Sequence, residues 1–175
     1  ITEVGEAIGG GFEHKMPWKL ANLVYGIYDV AGTPSVAAFG ERRLVETARD
    51  VQWFGDCYCP DREMRKLPDV SPLRGDFRGM PPAFFTVGME DALADDTFLM
   101  HKKWVEWGNG VSLDVWPEGP HGVGHFGVHA TSKLGMACRK KLHYKIDMFI
   151  KGEPEIPNRY TDTSRGGVVR YFSAY

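Results

Sequence analysis

Cysteine is scarce in this sequence: there are three in 175 residues, two of them as Cys57-x-Cys59. That number makes no disulfide framework, and the pair has no further ligands near by at a recognisable metal spacing, so the thiols read as reduced residues in or near a core. Long apolar runs are also absent, and none approaches the roughly 20 residues of a membrane span. Neither sign of charge dominates. A formal net charge of −2 gives no electrostatic reason to expect nucleic acid or an anionic membrane as a partner. There is no internal repeat, no low-complexity tract and no signal-like start with charge followed by apolar residues. The chain opens Ile1-Thr2-Glu3-Val4 without an initiator methionine. The expectation is a cleavage point or boundary there, with any targeting information upstream. The compartment stays open, the cytoplasm being slightly favoured.

What is present suffices for one domain with a core: 43% of the residues are apolar. The chain is organised around Pro82 to Val123, which reads as strand, acidic loop, helix, strand, histidine loop. Ala83 to Val87 is a continuous apolar run between Pro81-Pro82 and Gly88, as expected of a parallel strand buried on both faces. Asp91 falls just past its carboxyl end, where ligand crevices form in open α/β sheets. Asp95 or Asp96 can cap the next helix. Met100, Trp104 and Trp107 share one face of it, and Gly108 and Gly110 can stop it. Ser112 to Trp116 reads as the next strand, after which Pro117 to Pro120 delivers His121 into a glycine-rich loop.

Upstream, Leu20 to Val30 reads as a strand by its apolar, β-branched and aromatic content. Residues 36–67 read as helical and irregular, with Val51, Phe54 and Tyr58 on one helical face and Trp53 beside them. Downstream, Ser132 can cap a last helix whose Leu134, Cys138, Leu142, Ile146 and Ile150 recur at i+4. The tail, 153–175, carries Val168, Val169, Tyr171 and Phe172 as docking points. His14, His101 and His143 read as surface positions.

Four pieces occur in order: Ser71-Pro72-Leu73, Pro81-Pro82, Val87-Gly88-x-x-Asp91-x-Leu93-x-Asp95 and Pro120-His121-Gly122. Together they resemble the carboxyl-terminal half of an α/β-hydrolase of the hormone-sensitive-lipase-like esterase family. The resemblance implies one partial α/β-hydrolase domain over residues 1–175, built on parallel strands six to eight with covering helices. It implies that residues 31–67 are part of a cap insertion that walls the substrate pocket, with Trp53, Phe54 and Tyr58 as pocket candidates, joined by Val123 of the histidine loop. It makes Asp91 the triad acid and His121 the triad base. Ala92 stands where the family usually has Pro, and Val123 where it usually has Phe. Gly9-Gly10-Gly11-Phe12 is similar to the family's His-Gly-Gly-Gly oxyanion loop, but Ile8 replaces the His and the match is rejected.

Triad chemistry needs a hydroxyl to attack, an imidazole to take its proton and a carboxylate to hold the imidazole. In α/β-hydrolases the chain order is Ser, acid, His. Asp91 and His121 fit the second and third places. Gly-x-Ser-x-Gly is not found, and none of Ser35, Ser71, Ser112, Ser132, Ser164 and Ser173 sits between glycines. The nucleophile and oxyanion hole are therefore expected on a missing or separate amino-terminal half. The edge of Leu20 to Tyr28 would otherwise face water, an aggregation hazard. A second polypeptide carrying Gly-x-Ser-x-Gly, or a symmetric copy in a homo-oligomer, is expected against it. The implied substrate is a small ester or lactone, with no cofactor and no metal.

Three further readings bear on the site. His121, His125 and His129 are spaced for a helical metal site, but Gly122, Gly124 and Gly127 argue against a helix. Glu118 is an alternative acid, yet stands only three residues before His121 in a turn. The competing function is a non-catalytic hydrolase-fold module that binds a small molecule or protein.

Overall fold

Three parallel strands, β1 (Ala21–Val24), β2 (Ala83–Glu90) and β3 (Val111–Pro120), form one sheet in the order β1-β2-β3. They come from a computed structural model that describes residues 18–41 and 44–153. The glycine run at 9–11 and the tail beyond residue 153 lie outside the described residues. Helices α1 (Pro34–Phe39) and α2 (Ala48–Tyr58) follow β1. Helix α3 (Ala94–Glu106) joins β2 to β3, and α4 (Gly127–Thr131) and α5 (Lys133–Ile150) follow β3. No described helix is long and apolar enough to cross a membrane.

β2 is buried on both faces, as its unbroken apolar run requires. Phe85 meets Trp104 of α3 at a ring-centroid distance of 5.7 Å, and Phe84 meets Phe149 of α5 at 6.4 Å. The two helices therefore cover opposite faces of the sheet. Phe84, Phe85 and Val87 are almost wholly excluded from solvent. Each such side chain contributes about 2 kcal/mol relative to exposure.

β1 is shorter than the expected Leu20–Val30 strand. At Tyr25 the backbone turns left-handed (φ 46°) and leaves the ladder. The amides of Tyr28 and Asp29 then bond to Asp96 Oδ1 at 2.7 and 2.9 Å instead of to a neighbouring strand. Asp96 is thus no helix cap. It lies in the first turn of α3, wholly buried, and also accepts the Thr33 hydroxyl at 2.6 Å. Asp95 reaches the Ser35 amide at 2.8 Å, so the acidic start of α3 ties down the chain after β1.

Met100 and Trp104 are buried as their face requires, but Trp107 is largely exposed at the end of α3, under the Arg78 guanidinium. On α5 the buried positions run Gly135, Cys138, Leu142 and Lys145, while Ile150 is exposed. Steps of four drift by about 40° each on a 3.6-residue helix, which carries the end of the i+4 series away from the sheet. Lys145 lies buried there, with its ammonium 2.6 Å from Asp114 of β3 and 2.7 Å from the Ser112 hydroxyl. His101 is half-buried against the Phe85 ring rather than on the surface. All three thiols are free: Cys57 is exposed, and Cys59 and Cys138 are buried.

Candidate active site

Strand register brings the acid and the histidine together. Along β2 and β3 the ladder slips between Gly88 and Glu90, after which Glu90 pairs with Pro120. The next residue on each strand is Asp91 and His121, so both leave the sheet side by side. His121 Nδ1 lies 3.2 Å from each carboxylate oxygen of Asp91. The Asp91 side chain is fully buried and that of His121 is 16% exposed. Asp91 also accepts the Leu93 amide at 2.8 Å, which fixes the carboxylate against the start of α3.

The histidine loop is held from below by Tyr25. Its hydroxyl donates to the Val123 carbonyl and lies close to His125 Nδ1, and its ring meets the His121 imidazole edge-on at 5.6 Å. Phe126 stacks on the imidazole with centroids 6.1 Å apart. Gly122 makes that stack possible: its φ is +69°, and a Cβ there would come within 1.9 Å of the Phe126 ring.

A third side chain completes the cluster. Glu46 Oε1 lies 3.3 Å from His121 Nδ1, its side chain only 10% exposed. It is the residue before Thr47, the N-cap of α2, and the helix start is pinned by a reciprocal cap between Thr47 and Asp50. Burial is the main force raising the Glu46 carboxyl to about 7; His121 opposes that rise, and Asp91, Asp50 and Asp96 add to it. For His121, burial works against the charged ring, but the Asp91 hydrogen bond and charge, with Glu46, outweigh it and raise the imidazole above its ordinary value.

Donor atoms of Glu46, Asp91 and His121 lie within 4.8 Å of one another, close enough to share a cation. An ion there would need a deprotonated Nδ1, the atom that otherwise donates to the carboxylates. His125, exposed, and His129, on α4, are not in this group. Glu118 is exposed on β3, so the carboxylate nearest the ring besides Asp91 is Glu46. Sequence reasoning missed it. Thr47-x-x-Asp50 is a readable capping signature, and the residue before such a cap is commonly apolar; a glutamate there is the signal that was available.

The remaining candidates sit apart from one another. Phe54 and Tyr58 line a cavity of about 470 Å³ with Ile27, Val36 and Val51. Trp53 does not line it; the indole is 60% exposed and packs on Phe54. Val123 is fully buried in a cluster with Tyr25, Trp116 and Cys138.

A parallel sheet covered by helices on both faces, with an acid–imidazole pair at its carboxyl edge, is the arrangement of the α/β-hydrolase class. Residues 7–125 match the family described as alpha/beta hydrolase fold. The chain belongs to that family, in keeping with the resemblance to hormone-sensitive-lipase-like esterases. Over 75 residues it is 33% identical to an acetyl-hydrolase of Streptomyces hygroscopicus, a stretch that is 43% of this chain and 24% of the relative. An esterase of Pyrobaculum calidifontis superposes with a TM-score of 0.68 at 21% identity, over 75% of this chain and 43% of that one. A thermostable esterase of Pseudomonas putida gives 0.66 at 23%, over 72% and 41%. The chain therefore spans less than half the length of the esterases it matches.

Proposed function

We propose that this chain supplies the acid and the base of a serine carboxylesterase acting on small esters or lactones. The nucleophile and oxyanion hole would come from the part of the fold that the relatives have and this chain does not span. The observation that carries the reading is the His121 Nδ1 contact, 3.2 Å to both oxygens of a fully buried Asp91. With Nδ1 held, Nε2 is the atom free to take a proton from an attacking hydroxyl and return it to the leaving alcohol. Asp91 fixes the tautomer and stabilises the imidazolium.

Among the described residues β1 pairs with β2 alone. Its other edge suits a further strand from a polypeptide bearing Gly-x-Ser-x-Gly, or from a symmetric copy. The test is to co-express this chain with such a polypeptide and follow p-nitrophenyl acetate hydrolysis and fluorophosphonate labelling. Activity in the complex, falling on the order of 10⁴-fold in His121→Ala, is expected. Full activity in that variant would end the proposal.

One observation favours a second reading as a binding module: the cavity beneath α1 and α2 is largely apolar and of ligand size. Equilibrium binding of a small apolar ester without turnover by the complemented protein, lost in Val51→Trp, would support it over catalysis.

A further inference from the structure

Three carboxylate oxygens surround one N–H. Both oxygens of Asp91 and Oε1 of Glu46 lie 3.2 to 3.3 Å from His121 Nδ1, and Nδ1 can carry only one proton to share among them. With Asp91 taken as its acceptor, Glu46 Oε1 is left buried without a hydrogen bond. A polar atom in that state is costly unless it can take the bond itself. The two acids also reach the ring from unrelated elements. Asp91 follows β2, whereas Glu46 comes from the loop before α2, held by the Thr47–Asp50 cap and by the Ala48 amide on the Gly40 carbonyl at 3.1 Å.

We infer that Glu46 is a positioning residue for His121: a second acid that shares the Nδ1 proton with Asp91 and holds the imidazole in the same tautomer when Asp91 cannot. No bond to carbon forms or breaks. The proton stays on Nδ1 and changes acceptor between Asp91 Oδ and Glu46 Oε1. When Nε2 takes a second proton, the imidazolium faces two carboxyl groups, one of which can remain protonated so that a single negative charge balances the ring. The titratable groups facing this cluster are Tyr25 after β1, whose phenol is within electrostatic reach of Asp91, Asp96 on α3 and Asp50 on α2. Tyr25 and Phe126 contribute ring contacts.

The inference deepens the esterase reading, since a histidine held by two acids has catalytic meaning only if His121 is the base. Its test is independent of turnover, so either can fail alone. The 175-residue chain, labelled with ¹⁵N-histidine, gives the His121 tautomer and pKa from long-range ¹H–¹⁵N spectra, assigned by loss in His121→Ala. Wild type, Glu46→Gln, Asp91→Asn and the double variant are compared. Glu46→Gln is expected to lower the His121 pKa, because one of the charges that raises it is removed. Asp91→Asn is expected to keep the Nδ1–H tautomer, with a pKa well above that of the double variant. An Asp91→Asn ring indistinguishable from the double variant, or a Glu46→Gln pKa equal to wild type, overturns the inference. Should a variant fail to fold, the wild-type chain decides through the ¹³C resonance of the Glu46 carboxyl. An inflection shared with the His121 ring nitrogens is expected, and an isolated inflection in the ordinary glutamate range overturns the inference.

Discussion

Gly88 and Gly119 stand backbone against backbone: a Cβ on Gly88 would fall 1.9 Å from the Gly119 carbonyl oxygen. This contact lies where the β2–β3 ladder slips, just before Glu90 meets Pro120 and the chain delivers Asp91 and His121. Strand separation here would separate the acid from the imidazole. Gly88→Ala is therefore expected to lower stability by about 2 kcal/mol or more, because the obstacle is backbone and cannot swing away. Gly119→Ala meets its nearest atoms only at 3.0 to 3.1 Å and should be milder. Urea unfolding of both variants checks the order, and equal effects would mean the strands part there at little cost.

Asp96 gives a second prediction. One buried carboxylate accepts from the amides of Tyr28 and Asp29 and from the Thr33 hydroxyl. Burial raises its pKa, and those three hydrogen bonds pull in the opposite direction. Asp96→Ala strands three donors at once and should destabilise by about 3 kcal/mol or more. Asp96→Asn keeps one acceptor oxygen and should lie between that variant and wild type. The denaturant midpoints of the pair report the difference. An alanine variant as stable as the asparagine one would show that water reaches the freed amides.

Much of this was readable from residue order, for definite reasons. Pro81-Pro82 and the Phe84-Phe85 run mark β2 because a strand covered on both faces has no polar alternation to disguise it, although the strand continues past Gly88 to Glu90. Asp91 and His121 each follow a parallel strand at the same edge, so their meeting needs only that the strands be neighbours. Other features depend on contacts that no local pattern encodes. The left-handed Tyr25 ends β1 early, although the residues after it suit a strand. Asp96 looks like a cap but faces a segment some 67 residues earlier in the chain. Glu46 reaches His121 only because the α2 cap and the β3 end converge in space.

Lys145 offers a third test. Its ammonium is buried beneath α5 and neutralised by Asp114, 2.6 Å away, with Lys141 on the other oxygen at 2.9 Å. Removing the carboxylate leaves a buried cation without that balance, so Asp114→Ala should cost about 3 to 5 kcal/mol. Adding Lys145→Met should recover most of the loss, since an apolar side chain of similar reach needs no counter-charge. A double variant no more stable than Asp114→Ala would mean that the aspartate acts through Lys141 or through strand packing instead.

The pH dependence of stability provides the last test, because burial drives Glu46 in a known direction. Its carboxyl rises from 4.5 to about 7 in the folded chain, so between those values the folded state binds more protons than the unfolded one. Stability from this group must then fall as pH rises through that window and level off above it. His121 adds in the same sense: its raised pKa contributes stability below pH 6.5 that is lost as pH climbs through the folded value. Glu46→Gln cannot titrate and removes one of the charges that raises His121. Relative to wild type it should gain about 1 to 3 kcal/mol between pH 4.5 and 8, the full shift being discounted for partial solvent screening. Urea melts of both proteins across that range measure the difference directly. A constant difference would place Glu46 in the ordinary glutamate range, solvated rather than buried against the ring. A difference of opposite sign would mean that the ionised Glu46–imidazolium pair outweighs burial.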